Sequence, residues 1–422
     1  MEKELLDILK KECVVATGCT EPIAVAHATA IAKEQVKDEE IANLNVTVDG
    51  ALYKNATFVG IPGIKERGLP IAAALGLAIG NSNNGLRLLE DITENQLAKA
   101  RELVNKNIIE ISVIDNCKYL YIEVNLFTVK NNHVRVIVKD RHQNIVSVEK
   151  AKKLPPVKVE ESSKERDNKI QKYSLSDILK FIQKVDIREL EFLTDGIKMG
   201  TEIAEIGLKK SFGKAMDEII LEGSDRDNMV TMAQKLSGAA AEARMAGVPN
   251  PVMTTAGSGN HGITVFMTNV AVAQKLDIDE ETLLRAIALS NLITVYVKSY
   301  TGTLSVMCGC GVAAGVGAGA GVAYMMGGDE KEIFHTIANM IGSISGLICD
   351  GGKEGCAFKV ALSSGWAIQS ALLAMKGSTI NTRDGILSED LNKLFENLGS
   401  CTDSMQPTNQ SIIRIIRKNS MC

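Results

Sequence analysis

Apolar positions change period twice along this chain. Leu5, Leu6 and Leu9 recur at helical spacing near the N-terminus. A second helix is expected from Pro22 to Lys33, with Thr20 as its N-cap. From about Asn43 to Val148 the pattern shortens into β-rich runs: IANLNVTVDGALY, ATFVGI, IIEISVI, YLYIEVNLFTV and VRVIV. Helical IAAALGLAI and ENQLAKARELVNK separate them, and Lys130-Asn131-Asn132 carries a hairpin signal. Pro155-Pro156-Val157 and the charged EESSKERDNK then read as a linker, and from Ser174 onward nearly every segment has helical spacing. The expected architecture is an N-terminal α+β part with a mostly antiparallel sheet, joined to a mainly α-helical bundle. Its boundaries are residues 1–155, a charged linker at 156–172, and an all-helical domain at 173–422.

The stretch between Lys298 and Asp329 has no charge and is long enough to cross a bilayer. Its content argues against insertion. Gly309, Gly311, Gly315, Gly317, Gly319 and Gly321 alternate with Ala, Val and Cys, so transfer into lipid would gain little. A buried central helix, closely approached by its neighbours, is expected instead. The net charge of −4 and the 4% aromatic content give nucleic acid nothing to bind, and no membrane partner is expected. MEKELLDILKKE is too charged for a signal peptide, so a cytoplasmic setting is expected. There the 9 cysteines are ligands, reactive thiols or core fillers rather than disulfides.

Four of those cysteines gather near helix ends. Cys308 and Cys310 open the Gly/Ala helix in SVMCGCGVAAG, and Cys349 and Cys356 flank the glycine loop of ICDGGKEGCAFK. Soft thiolates select iron–sulfur clusters, zinc or copper(I), although this spacing matches no zinc finger or ferredoxin run. Packing of small apolar residues in a tight core would account for the same pattern. In ATGCTEPIAVAHA, Cys19 stands just ahead of a helix N-terminus, where a thiolate is stabilised; it is a candidate base, nucleophile or ligand. TTAGSGNHGITVF presents a Gly-rich turn into a helix, suited to an anion such as an amino-acid carboxylate, with Ser258, Asn260 and His261 to orient it. Ser299 and Thr301 in KSYTGTLS are further substrate-binding candidates.

Taken together, GCTEP (Gly18–Pro22), VGIPG (Val59–Gly63), TTAGSGNHG (Thr254–Gly262), the CGCGVAAG helix and CDGGKEGC (Cys349–Cys356) resemble the L-cysteine desulfidase family, itself similar to the iron–sulfur L-serine dehydratases. The resemblance runs over nearly the whole chain. It implies a four-iron, four-sulfur (4Fe-4S) cluster on Cys308, Cys349 and Cys356, with Cys308 preferred to Cys310 as the first ligand. It also implies Cys19 as the base that removes the Cα proton of L-cysteine, giving sulfide, pyruvate and ammonia. The dehydratases carry a Ser-rich motif where this chain has GCTEP, which favours cysteine over serine as substrate. Three rivals remain: an iron–sulfur L-serine dehydratase, a pyridoxal-phosphate lyase using Lys353 or Lys359 beside the cysteines, and a non-enzymatic cluster carrier or thiol sensor. A homo-oligomer is left open. The C-terminal Cys422, a thiol beside a carboxylate, would partly mimic the substrate.

Overall fold

A computed structural model describes residues 1–114, 117, 119–157, 159, 169–223, 227–302 and 304–420. Cys422 and most of the expected linker lie outside the described residues. The expected fold class is what the structure shows: a mixed N-terminal region with a mostly antiparallel sheet, followed by a helical region.

The sheet contains β2 (Ile41–Asp49), β3 (Ile109–Ile114), β4 (Tyr121–Thr128), β5 (His133–Lys139) and β6 (Ile145–Ala151), in the order β3-β2-β4-β5-β6. Only the β2–β3 pair is parallel. The β4–β5 turn contains Lys130-Asn131-Asn132, and Asn131 takes the left-handed conformation that asparagine tolerates. Leu44, Val46 and Val48 alternate onto one face. There they pack with Ala24, Val25 and Ala28 of α2 (Thr20–Glu34) and Leu69, Ala73 and Leu77 of α4 (Leu69–Ile79).

Two expected strand segments are not strands. GALYKNA forms α3 (Gly50–Ala56), because Asp49 ends β2 and caps the next helix, accepting from the amides of Ala51 (2.9 Å) and Leu52 (3.0 Å). Its second oxygen accepts from Tyr121 N (2.9 Å), so one buried carboxylate joins a strand end, a helix start and a neighbouring strand. ATFVGI then runs out as a loop whose only ladder contact is the Gly60–Arg67 bridge. Removing this cap leaves three amides without their acceptor, two of them, Leu52 and Tyr121, in buried residues. Asp49→Ala is therefore expected to lower unfolding free energy by about 2–4 kcal/mol, read from the urea midpoint. Asp49→Asn retains the cap and should lose less.

The helical region is built from α6 (Leu175–Lys184), α7 (Phe192–Gly207), α8 (Ser211–Leu221), α9 (Met229–Met245), α10 (Gly259–Leu276), α11 (Glu280–Thr301), α12 (Val316–Met325), α13 (Glu330–Ile344), α14 (Cys356–Met375), α15 (Leu391–Ser404) and α16 (Gln406–Ser420). Both ends of the chain cross between regions. Leu5 and Leu9 of α1 (Glu2–Glu12) enter the helical core, and β1 (Val15–Thr17) pairs antiparallel with β7 (Pro251–Met253). Ile413 of α16 reaches back to Gly50 of α3.

The charge-free segment is buried, as expected, but is not a single helix. α11 ends at Thr301, and a π-helical turn, Cys310–Gly315, precedes α12. Its glycines meet neighbours at backbone distance: a Cβ on Gly317 would lie 2.2 Å from Ser290 O. No helix among the described residues is long and apolar enough to cross a membrane.

Candidate active site at the junction of the two regions

Three loops converge where the N-terminal region meets the helices. The first is the corner between β1 and α2. Cys19, rather than Thr20, is the N-cap of α2, with extended backbone and no side-chain cap bond. Its thiol turns instead to the carboxylate two residues on, donating to Glu21 Oε2 at 2.8 Å. Both side chains are buried. Burial and the neighbouring Glu21 charge push the Cys19 thiol well above its ordinary range, against the opposing field of Arg244. The helix N-terminus does not outweigh these effects, so the resting side chain is a thiol and not the thiolate expected from position alone. Burial also opposes the charge on Glu21. Nearby His142 and hydrogen bonds from Cys19 and Asn55 nevertheless hold it below the usual carboxylate range.

The second loop is the turn at Thr254–Ser258, leading into α10. The β1–β7 ladder and the Thr254 N–Val14 O bond (2.8 Å) set it beside the Cys19 corner. His261 Nδ1 lies 3.1 Å from Thr255 O, so Nδ1 carries the proton and Nε2 keeps its lone pair. Burial, then the positive charges of Lys298 and Arg244, hold this imidazole down at about 3. Nε2 points at Gly309, where a Cβ would fall 2.2 Å from it. Ser258 caps α10 without a side-chain bond, and Asn260 Oδ1 accepts from Arg244 Nη1 at 3.0 Å.

The third loop carries the cysteines. Cys308 N bonds Leu347 O and Cys349 N bonds Val306 O, both at 2.7 Å, so Met307 faces Ile348 and the two cysteines flank that bridge. The loop from Cys349 to Cys356 lies on the end of α3. A Cβ on Gly351 would come 2.3 Å from Lys54 O, and one on Gly352 2.5 Å from Asn55 O. Buried Lys54 fixes the loop by donating to Cys349 O (2.8 Å) and Asn409 Oδ1 (2.9 Å). Asn55 joins two loops, donating to Glu21 Oε1 at 3.0 Å while its Oδ1 lies 3.7 Å from Cys349 Sγ. Cys356 opens α14 and packs with Cys19, Val59 and Met245.

The thiols are close enough to sense one another. A hydrogen bond from Cys310 pulls Cys308 down against burial, helped by the Gly311 amide and the Lys359 charge. The same bond, burial and the fields of Cys308, Cys356 and Cys349 push Cys310 up. Burial and its neighbours Cys308 and Cys349 raise Cys356 to about 11. Cys308 is thus the natural thiolate of the close pair, and Cys310 its proton donor. Among the described residues no three His, Cys, Asp or Glu side chains close around a single ion. A cluster differs, because each iron takes its own thiolate, and cysteines from three segments at one junction suit that larger object.

Ser299 and Thr301 are engaged elsewhere. Ser299 Oγ accepts from Gln171 (3.0 Å) and donates to Tyr296 O (2.7 Å), and Thr301 Oγ1 bonds Val297 O of its own helix. Lys359, beside the cysteines, bonds Ile348 O and Asp350. An open cleft lined by Tyr173, Asp177, Tyr296 and Asn392 contains none of the residues in these loops.

Two residues escaped sequence reasoning. Glu21, although part of GCTEP, was not among the candidate site residues. Arg244 was not singled out at all, and AEARMAG gives no local sign of it; its role is visible only where α9 passes between the first two loops. VGIPG is held there too, through Gly60 N–Met245 O (3.0 Å) and Gly63 N–Gly247 O (2.9 Å).

Known proteins resemble this chain over most of its length. The chain matches the family described as serine dehydratase alpha chain over residues 83–414, which include Arg244, the 254–262 turn and Cys308, Cys349 and Cys356. It is 41% identical over 416 residues to a UPF0597 protein of Clostridium tetani, spanning 98% of this chain and 97% of that protein. It is 40% identical over 426 residues to a UPF0597 protein of Caldanaerobacter subterraneus subsp. tengcongensis, spanning 99% and 100%. On this match, the chain belongs to the serine dehydratase alpha chain family.

Proposed function

We propose that this protein is an L-cysteine desulfidase, converting L-cysteine and water to pyruvate, ammonium, hydrosulfide and a proton. The observation that carries this reading is the chain of contacts Cys19–Glu21–Asn55–Cys349, which links a buried thiol and its hydrogen-bond acceptor to a cluster-ligand candidate. Cys308, Cys349 and Cys356 would hold a 4Fe-4S cluster through three thiolates, and such a group supplies a Lewis acid for the departing sulfur.

The chain's own residues do the rest. Glu21 accepts the hydrogen bond of the Cys19 thiol and orients it; Cys19 is the base for the Cα proton through its minor thiolate form, which the high position of its thiol makes strongly basic. Asn55 holds Glu21 in place for that orientation. Neutral His261, fixed by Thr255, offers Nε2 as an acceptor, and Ser258 and Asn260 complete the substrate side at the start of α10. Loss of the Cα proton and of hydrosulfide leaves aminoacrylate, which takes up water and releases ammonium to give pyruvate. A reducing cytoplasm, where thiols such as Cys19 stay unoxidised, is the setting proposed for this work.

A second reading, L-serine dehydratase, is favoured by the family match itself. Parallel anaerobic assays for pyruvate with L-cysteine and L-serine, and for sulfide with L-cysteine, decide between them. Higher kcat/KM on L-cysteine is expected, and a preference for L-serine would transfer the assignment. Cluster-bearing protein that makes no pyruvate from either would leave a carrier or sensor.

A further inference from the structure

Arg244 is 2% exposed, and its hydrogen bonds run to an amide oxygen and a backbone carbonyl rather than to a carboxylate. Its Nη1 donates to Asn260 Oδ1 at 3.0 Å and its Nη2 to Gly18 O at 2.6 Å, both neutral acceptors, and Nε has no partner. A guanidinium stays charged at every relevant pH, and a buried charge without a counter-ion costs several kcal/mol. Such a residue persists where an anion completes it. Its surroundings suit one. The guanidinium lies against the first residue of α10, because a Cβ on Gly259 would sit 2.4 Å from Nε and 2.6 Å from Cζ. That 18-residue helix has no side-chain cap, so its first amides and its dipole face the same region. Glu21, which acts on the same Cys19 thiol as Arg244, is held by Cys19 and Asn55.

We infer that Arg244 and the N-terminus of α10 together form the receptor for the substrate's free α-carboxylate, restricting the enzyme to amino acids whose carboxyl group is unblocked. The inference rests on the site assigned above, but not on which side-chain group leaves. The Arg244 contacts to Gly18 and Asn260 also tie the Cys19 corner to the His261 turn, so the carboxylate is anchored between the base and the substrate wall. A planar fork at this position fixes the orientation of Cα as well as binding charge.

The test uses cluster-bearing protein under anaerobic conditions and ligands with no leaving group. L-Alanine should raise the melting temperature and inhibit competitively, whereas L-alaninamide should do neither at the same concentration. Equal binding of the two would overturn the inference without any mutation. Arg244→Gln should lose the distinction and raise KM at least ~30-fold, with iron content unchanged, and Arg244→Lys should recover part of it. Turnover of L-cysteine by Arg244→Gln with unchanged KM would reject the receptor and leave the desulfidase reading intact. Arg244-dependent binding of L-alanine by a protein inactive on L-cysteine would do the reverse.

Discussion

Replacing Cys349 or Cys356 with alanine is expected to bleach the protein and remove activity by more than about a hundredfold, since on the proposed assignment three thiolates would hold the cluster with none to spare. Iron should fall from about four per chain to near zero after anaerobic reconstitution. The first ligand is resolved by a pair of variants. Cys308 is drawn toward the thiolate by Cys310, Gly311 and Lys359, while Cys310 is driven toward the thiol. Cys308→Ala should therefore lose the cluster and Cys310→Ala should keep it. The opposite result would make Cys310 the ligand. A full complement of iron in Cys349→Ala or Cys356→Ala would sink the ligand set altogether.

The second large effect belongs to Cys19. Its alanine variant should retain the cluster and still bind L-cysteine, yet lose turnover by about 100- to 10,000-fold, the range of a missing general base. Exchange of the Cα hydrogen with solvent deuterium should vanish with it. Glu21→Gln should show the same pattern in milder form, because Cys19 loses the carboxylate that orients its thiol but remains in place. His261→Ala should raise KM more than it lowers kcat. Near-normal exchange in Cys19→Ala would pass the role to His261, whose Nε2 already carries a free lone pair. Loss of iron in Cys19→Ala would make it a fourth ligand and remove the open coordination position.

Much of this was legible in the chain because it is local. The alternation of Leu44, Val46 and Val48 and the turn at Asn131 need only nearest neighbours in sequence, and the structure repeats them. The Gly-rich turn at 254–262 is equally local. Misreadings occurred where a tertiary partner outweighed the local signal. GALYKNA has strand-like apolar content, but Asp49 needs amides to accept from, and the next helical turn supplies two. Thr20 is the better intrinsic cap; the Cys19–Glu21 bond and the burial of the corner move the helix start by one residue. The Gly/Ala segment was expected as one helix, and the π turn at Cys310–Gly315 interrupts it just after the Cys308–Leu347 bond. Arg244 was invisible for the strongest reason: nothing in AEARMAG distinguishes a solvated arginine from one enclosed by residues 18 and 260.

The β1–β7 ladder also sets a timetable. Ribosomes deliver the chain N-terminus first, and Val15–Thr17 must wait for a partner roughly 230 residues downstream. At about 5–20 residues per second that wait lasts on the order of tens of seconds. Strands β2 to β6 lie within residues 41–151 and can close their sheet in the meantime. Cys13 and Cys19 cannot be enclosed so early, since most of the core cluster that holds Cys13, and the Met245 and Arg244 that act on Cys19, have yet to be made. Nascent chains therefore pass through an interval in which thiols destined for the interior are open to alkylation. Oxidant exposure during translation would harm this protein more than the same dose given after release.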